Sequence, residues 1–426
     1  MITLADCEAL DAADPLAPLR DKFEPAPPGK IFLDGNSIGA MPKGVPERMM
    51  RALHGEWSAL RRQAWHHADW LDAPQRIGAA MAPLLGAPPE DVIAVDNTTL
   101  NLHKLLAYGL QLAQPDARPD ARPDARPDPR RRFIVYEPEG FPTDAHVVQG
   151  LVHHGQGRWA ERAIDGPAEL ARALGDDVAM VVLAHVDYRS SYRYDLARTT
   201  AAAHAEGARV LWDLSHSAGV VPVELAASRA DFAVVCGYKY LSSGPGAPAL
   251  AYIRRDLQDL GWPALPGWLG HADRMNFPAA FAPAPGPLSL VTGTMPVLQN
   301  AVMDCAASLW AQVAPVALFA KHRSLSTTLA QLMREQCGAL GVRQLSPAAY
   351  EERGGHIAFS CPGGGPTCEA LLDSGVVGSF RQPDVLRFGL APATVTHADL
   401  WHAVARLRRI LEQETWREAR FQEVSV

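Results

Sequence analysis

Three groups of residues combine types and spacing that could do chemistry. The first centres on a lysine. In "DFAVVCGYKYLSSGPGAP", residues 231 to 248, an apolar run leads to Lys239, which stands between Tyr238 and Tyr240, and a turn rich in serine, glycine and proline follows at once. An uncompensated ammonium is costly to bury, so a lysine at the end of an apolar strand has a partner or a task. The plainer alternative is a lysine snorkelling at a sheet edge. The second group is "LWDLSHSAG", residues 211 to 219, in which Asp213 stands where a buried strand ends and His216 follows three residues later. Ligands of open α/β sheets sit beyond the carboxyl ends of the strands, and a carboxylate there can pair with a protonated ring nitrogen. A helix N-cap would account for Asp213 but leaves His216 idle. The third is "DNTTLNLHKLLAYGL", residues 96 to 110, in which Thr98 and Thr99 open an apolar-periodic helix. Hydroxyls and backbone N–H groups at the positive end of a helix make an anion site suited to phosphate, although threonine is also a common cap.

The three together fit one cofactor, pyridoxal 5′-phosphate. It needs a lysine for its aldehyde, a carboxylate to keep its pyridine nitrogen protonated, and an anchor for its phosphate. The interval from Asp213 to Lys239 leaves room for one helix and the next strand, and the sharp turn after Lys239 would stop the chain with the amine facing outward.

The elements that must position these groups are legible as an alternation. Short apolar runs at "FIVYE" (133 to 137), "VAMVVLAHV" (178 to 186), "ARVLWDL" (208 to 214) and "DFAVVC" (231 to 236) read as buried strands, with helix-like stretches such as "DGPAELARALG" and "DLARTTAAAHAEG" between them. That order implies βαβ crossovers and an α/β fold whose mostly parallel sheet is covered by helices on both faces. From about residue 310 the texture changes. "SLSTTLAQLMREQC" and "ADLWHAVARLRRILEQE" have helical spacing, the second opened by a capping box of Thr396 and Asp399, and "HIAFSC" and "VLRFGL" read as strands between them. This predicts an N-terminal arm over 1–50 that contributes to the small domain, a large α/β domain over 51–305 and a small C-terminal α+β domain over 306–426. The repeat "PDARPDARPDARPDPRRR", Pro115 to Arg132, carries proline at every fourth position and no apolar face, so it reads as a solvated surface loop.

Composition excludes several classes. The net charge of −7 argues against nucleic acid or another polyanion as the main partner. No run approaches the roughly 18 apolar residues of a membrane span, and the N-terminus has acids where a signal peptide carries positive charge, so the chain reads as cytoplasmic. Six scattered cysteines form no CxxC, and the His66–His67 and His153–His154 pairs lack partners at ligand spacing, so no metal is expected. Walker, HExxH and dinucleotide-loop motifs are absent.

In this order, "LDGNSIG" (33 to 39), "NTTLNLHKLL", "FPTD" (141 to 144), "HVDYRSS", "WDLSHSAG", "YKYLSSGPGAPA", "GWLGH" (267 to 271), "TGTMPVL" (292 to 298) and "RQPDVLRFGLAP" resemble the kynureninases, within the fold-type I, aspartate-aminotransferase-like enzymes that use pyridoxal phosphate. The resemblance runs through nearly the whole chain. It implies hydrolysis of L-kynurenine, or its 3-hydroxy derivative, to anthranilate or 3-hydroxyanthranilate and L-alanine, with cleavage between Cβ and Cγ. It also implies roles. Lys239 would carry the cofactor and move the α-proton, with Tyr238 as acid–base group for the substrate ketone. Phe141 would stack on the pyridine ring, Asp144 and Asp213 would hold its polar edge with His216 beside them, and Thr98, Thr99, Tyr238 and Trp268 would surround the phosphate. Thr294 would come from the partner subunit of a homodimer, Arg387 would clamp the substrate α-carboxylate, and Trp57 and Trp65 would line the aryl pocket. The chain departs from the family pattern at Ser242, where asparagine is common, at Ala184, where a small hydroxyl residue is usual, at His66, and in "GLAPATVT", which lacks an aromatic residue. The competing readings are another lyase of the same fold, such as a cysteine desulfurase or selenocysteine lyase, a relative acting on a different aryl substrate, and a non-catalytic binder. A desulfurase needs a mobile cysteine near the cofactor; only Cys361 and Cys368 are candidates, and "SCPGGGPTC" does not match such a loop.

Overall fold

The computed structural model describes residues 1–113 and 130–422. The Pro-Asp-Ala-Arg repeat therefore lies outside the described residues, apart from its last three positions.

Thirteen strands form three sheets among the described residues. In chain order they are β1 (Ile31–Phe32), β2 (Val92–Val95), β3 (Phe133–Tyr136), β4 (Ala160–Ala163), β5 (Val178–Ala184), β6 (Arg209–Asp213), β7 (Phe232–Val235), β8 (Ala249–Ile253), β9 (Arg343–Gln344), β10 (His356–Ser360), β11 (Val376–Val377), β12 (Ser379–Arg381) and β13 (Val385–Gly389). The large sheet has the order β2-β8-β7-β6-β5-β3-β4. It is parallel except at β8, which runs antiparallel to both neighbours. The four apolar runs singled out in the sequence are β3, β5, β6 and β7, and the helices Pro167–Ala173 and Leu196–Ala205 lie where helix-like stretches were expected.

Both faces of this sheet are covered, which explains why its strands read as nearly continuous apolar runs. Val181, Leu183, Val210 and Trp212 pack into one core. Met180, Val182, Leu211 and Phe232 pack into the other. The side-chain period of two sends successive residues of one strand to opposite cores.

A four-stranded antiparallel sheet, β12-β13-β10-β9, forms the second body. Its core joins Ile357 and Phe359 to Leu325, Leu329 and Leu332 of the helix Pro315–Cys337 and to Leu400, Val404 and Leu407 of the helix His397–Glu412. The capping box expected at Thr396 and Asp399 is present. The N-terminal arm joins this body through the parallel pair β1–β11 and the helix Leu4–Ala12, whose Cys7 is buried in the same core.

The register places the carboxyl ends of three neighbouring parallel strands together. Ala184 at the end of β5 pairs with Asp213 at the end of β6, and Asp213 pairs with Val234 of β7.

Candidate active site

Lys239 lies four residues beyond β7 and is 9% exposed. The turn around it is fixed from several sides. Ser242 N donates to Lys239 O at 2.9 Å, Ser243 N donates to Gly237 O at 3.0 Å, and the Trp310 indole donates to Leu241 O at 2.8 Å. Ser242 has φ +54° and is followed by glycines at +82° and +74°, which is why the chain needs small residues here. The Nζ of Lys239 lies 3.1 Å from Nε2 of His216 and 5.5 Å from the centre of the Phe141 ring.

A second buried lysine shows what a structural lysine looks like in this chain. Lys104, 1% exposed, is ion-paired to Asp96 and donates to Leu290 O at 2.7 Å. Lys239 forms no ion pair with any carboxylate among the described residues, so its burial is left without that compensation.

A cavity of about 240 Å³ surrounds the Lys239 amine. Asp213 and His216 line it from the end of β6, Tyr238 and Lys239 from beyond β7, Thr98 and Thr99 from the start of a helix, and Phe141 from the start of another. The helix Thr98–Leu112 is capped by Asn97, whose side chain accepts from Leu100 N at 3.0 Å. The sequence offered the threonines as caps; Asn97 takes that work, and the first-turn N–H groups of Thr98 and Thr99 have no intrahelical acceptors.

Asp144 sits in the first turn of the helix Pro142–His154, whose positive end favours a carboxylate. It is buried, and its Oδ1 has no hydrogen-bond partner. Burial, followed by the charge of Asp213, holds its carboxyl well above the usual range, although Lys239 opposes this. Asp213 is also pushed up by burial, and Lys239 and the Ser215 N–H, 2.7 Å from its Oδ1, pull it back. Burial and then the Lys239 charge push His216 well below the ordinary histidine value. A neutral ring whose Nε2 accepts from Lys239 carries its proton on Nδ1, and that atom is buried without a partner.

Asp213 on the cavity wall, with Asp144 buried where the charge of Asp213 acts on it and one Asp144 oxygen left orphaned, suits a ligand that brings a protonated ring nitrogen. The unclaimed N–H groups at Thr98 and Thr99 suit its anionic end. The residues present therefore fit pyridoxal phosphate.

Arg387, in β13, is 1% exposed. Its Nε donates to Ser379 Oγ at 3.1 Å and its Nη1 to Tyr188 O at 2.5 Å, and no carboxylate pairs with it among the described residues. Burial, then the nearby Arg381, lowers its pKa to about 10, which leaves it a cation at neutral pH. The Tyr188 ring links it to the cavity: it lies 6.0 Å from the Arg387 guanidinium and 5.7 Å from the Phe141 ring, and it lines the same wall. The motif "HVDYRSS" carries no local sign of a role for Tyr188, because only the fold brings residue 188 beside residues 141 and 387. Ser215 and Cys236 also line the cavity, and neither had been singled out. Ala184 lines it without a hydroxyl.

Six candidate residues do not line this cavity: Asp144, buried where the charges of Asp213 and Lys239 act on it, Arg387, which reaches it through Tyr188, and Trp57, Trp65, Trp268 and Thr294. Trp57 and Trp65 line a separate groove with Trp70. The Trp65 ring lies 6.3 Å from Trp268, which in turn lies 5.5 Å from Phe277. Trp57 is 58% and Phe277 67% exposed, so these rings form an outward aromatic patch. Thr294 is exposed on a segment anchored beside it, where a Cβ on Gly267 would overlap the backbone of Thr292.

Comparison with known proteins places this geometry in context. A family model described as the kynureninase C-terminal domain matches residues 318–407. A kynureninase from Pseudomonas fluorescens is 38% identical over 422 residues, covering 99% of both chains. One from Burkholderia mallei is 38% identical over 421 residues, covering 99% of this chain and 98% of its own. Among solved structures, a cysteine desulfurase from Thermococcus onnurineus superposes with a TM-score of 0.74 at 17% identity, over 93% of this chain and 98% of its own. A cystine C-S lyase in complex with cysteine persulfide gives a TM-score of 0.73 at 20% identity, over 89% of this chain and 97% of its own. At those identities the structural likeness establishes the fold, that of the fold-type I pyridoxal phosphate enzymes, and nothing finer.

Proposed function

Because the chain belongs to the kynureninase family, we propose that it is a pyridoxal phosphate-dependent hydrolase that cleaves L-kynurenine between Cβ and Cγ to anthranilate and L-alanine. The observation that carries this reading is a buried lysine with no carboxylate ion pair, in contact with His216 and sharing a cavity with Asp213 at the carboxyl end of β6, while Asp144 is buried at a helix start where the charges of Asp213 and Lys239 act on it.

Pyridoxal phosphate, when bound, supplies an electron sink for the substrate carbons that lose a proton and an acyl group. Lys239 is the residue that holds it and afterwards moves the α-proton, since its amine is the basic group in the cavity. Asp213 and Asp144 would hold the ring nitrogen, whose positive charge favours their ionised forms. The first turn at Thr98 and Thr99 takes the phosphate. Phe141 on the cavity wall would stack on the pyridine ring, with the Tyr188 ring set edge-on beside it. Tyr238, half-exposed at its rim, has its hydroxyl pKa pushed up by burial and by Cys236, so it keeps its proton at neutral pH and serves the substrate ketone as a donor. Arg387 offers its guanidinium fork to the α-carboxylate, a two-oxygen target that matches it.

Trp57, Trp65, Trp268 and Thr294 belong to the reading as dimer residues. An exposed patch of linked aromatic rings suits an interface between copies, and we assign aryl contacts to Trp57 and Trp65, phosphate contacts to Trp268 and completion of the partner's site to Thr294 on that basis. Mixing Lys239→Ala protein with a Thr294→Ala variant should then restore activity that neither has alone. The division at residues 50 and 305, and a cytoplasmic setting with unpaired thiols, complete the proposal.

The test is a product assay. Cofactor-loaded protein mixed with L-kynurenine, and separately with 3-hydroxy-L-kynurenine, should release aryl product and alanine in equal amounts, and Lys239→Ala should release neither. Loss of the substrate α-proton without cleavage of either compound would place the aryl specificity elsewhere.

A further inference from the structure

The segment "LDGNSIG", residues 33–39, contributes no group to the proposed reaction, yet its far end touches Tyr238 and its near end is bonded to β13 two residues past Arg387. At its far end Gly39 N donates to Tyr238 O at 2.9 Å. A Cβ on Gly39 would overlap the carbonyl oxygen of Lys239, so the chain can pass here only as glycine. In the middle, a Cβ on Gly35 would meet the Tyr240 ring at 3.1 Å and Ala391 at 3.0 Å. At its near end Leu33 O accepts from Gly389 N at 2.6 Å, and Leu33 N donates to Val377 O at 2.7 Å, so the segment is laid against the end of β13 two residues past Arg387.

Asn36 sits between these anchors and is 2% exposed. Its Nδ2 donates to Ser379 Oγ at 3.4 Å, and the same oxygen accepts from Arg387 Nε at 3.1 Å. Its side chain fits because residue 389 is glycine: a Cβ there would overlap the Asn36 amide. The Asn36 Oδ1 is buried with no partner, so the contact with Ser379 is the one side-chain hydrogen bond that Asn36 makes among the described residues.

We infer that residues 33–39 form a strap that fixes the Arg387 guanidinium relative to Lys239, and that Asn36 and Ser379 are positioning residues for Arg387. The inference rests on reading Arg387 as the clamp for an amino-acid carboxylate. With two donors at its oxygen, the Ser379 hydroxyl must turn its lone pairs to Asn36 and Arg387 and its own proton away from both. Ser379 Oγ and Tyr188 O then hold Nε and Nη1, which sets the plane of the guanidinium and leaves Nη2 for the ligand. Without the Asn36 amide the hydroxyl is free to rotate and the plane is no longer set.

The experiment titrates cofactor-loaded protein with L-alanine, following the visible absorption of the lysine-bound cofactor. Asn36→Ala and Ser379→Ala should each raise the apparent Kd about tenfold, the loss expected for one hydrogen bond on a charged group. The double variant should be no weaker than about the poorer single, because both act on one bond chain. The absorption before alanine is added should match the parent in all three. Arg387→Met is the reference. If it weakens alanine binding strongly while Asn36→Ala and Ser379→Ala stay within about twofold of the parent, the strap inference is overturned and the carboxylate reading stands. If Arg387→Met binds alanine like the parent, the reading and the inference fall together. Should Asn36→Ala not fold, Ser379→Ala, which removes one oxygen, decides alone by the same criterion.

Discussion

The Nζ of Lys239 lies 3.1 Å from Nε2 of His216, and both side chains are buried. A neutral imidazole is the direct hydrogen-bond acceptor for this amine, so it orients the lysine without fixing it as a carboxylate would. Replacing His216 by alanine should lower kcat about tenfold to a hundredfold, the range for losing one hydrogen bond to a charged group. Lys239→Ala should abolish turnover. Steady-state kinetics on the two variants checks the contrast, and a His216→Ala enzyme with parental kcat would remove the contact from the account.

Gly39 should tolerate no side chain. Gly39→Ala forces either the strap or the Lys239 turn to move, because the new methyl overlaps the Lys239 carbonyl. The expected result is a loss of about 1–3 kcal/mol in stability together with a shifted absorption of the bound cofactor. Gly29→Ala, at a glycine with φ +80° and nothing within 4 Å, should cost stability through backbone strain alone and leave the absorption unchanged.

Asp213→Asn should act in opposite directions on two properties. In cofactor-free protein the folded carboxyl has a raised pKa, so its favourable contribution is present below the unfolded value and is lost as pH rises through the folded value. At pH 7 to 8 the asparagine variant without cofactor should therefore be more stable than the parent. The same variant should bind pyridoxal phosphate more weakly, since a neutral amide no longer holds the ring proton. Thermal melts with and without cofactor check both halves.

Asp34 offers a cleaner pH dependence. Burial lifts its carboxyl from 3.8 to about 6. Its contribution to stability is complete below the unfolded value and disappears as pH passes through about 6. Asp34→Asn should thus stabilise the protein by about 1–2 kcal/mol at pH 8 and by about half as much at pH 5, measured by denaturant unfolding at the two pH values.

Two of the cysteines should be dispensable. Cys361 and Cys368 lie in the small-body core, and burial lifts their thiols to about 12 and about 11. Thiols held protonated there do not attack a sulfur-bearing substrate at the Lys239 cavity. A Cys361→Ala, Cys368→Ala double variant should keep its kynurenine turnover within about twofold, while a desulfurase would lose its activity entirely.

Much of this was legible in the sequence because it was local. The runs that became β3, β5, β6 and β7 announce themselves by being apolar throughout, and Thr396 with Asp399 announces its helix start by spacing alone. The meeting of Asp213, His216 and Lys239 follows from the rule that ligands gather at the carboxyl ends of parallel strands. What stayed hidden depends on contacts distant in sequence. Asn36 reaches Ser379 across 343 positions, and Gly39 earns its identity from a carbonyl two hundred residues away. Lys104 is the instructive counterexample: a buried lysine in an apolar helix has the same sequence appearance as a functional one, and only the Asp96 ion pair shows it to be structural.

The central claim is that Lys239, and not Lys104 or an exposed lysine, carries the cofactor. Protein loaded with pyridoxal phosphate, reduced with borohydride, digested and mapped by mass spectrometry tests it directly. The account predicts a single stoichiometric pyridoxyl label on Lys239, absent from the Lys239→Ala variant. A label spread over surface lysines, or one retained in that variant, would contradict it.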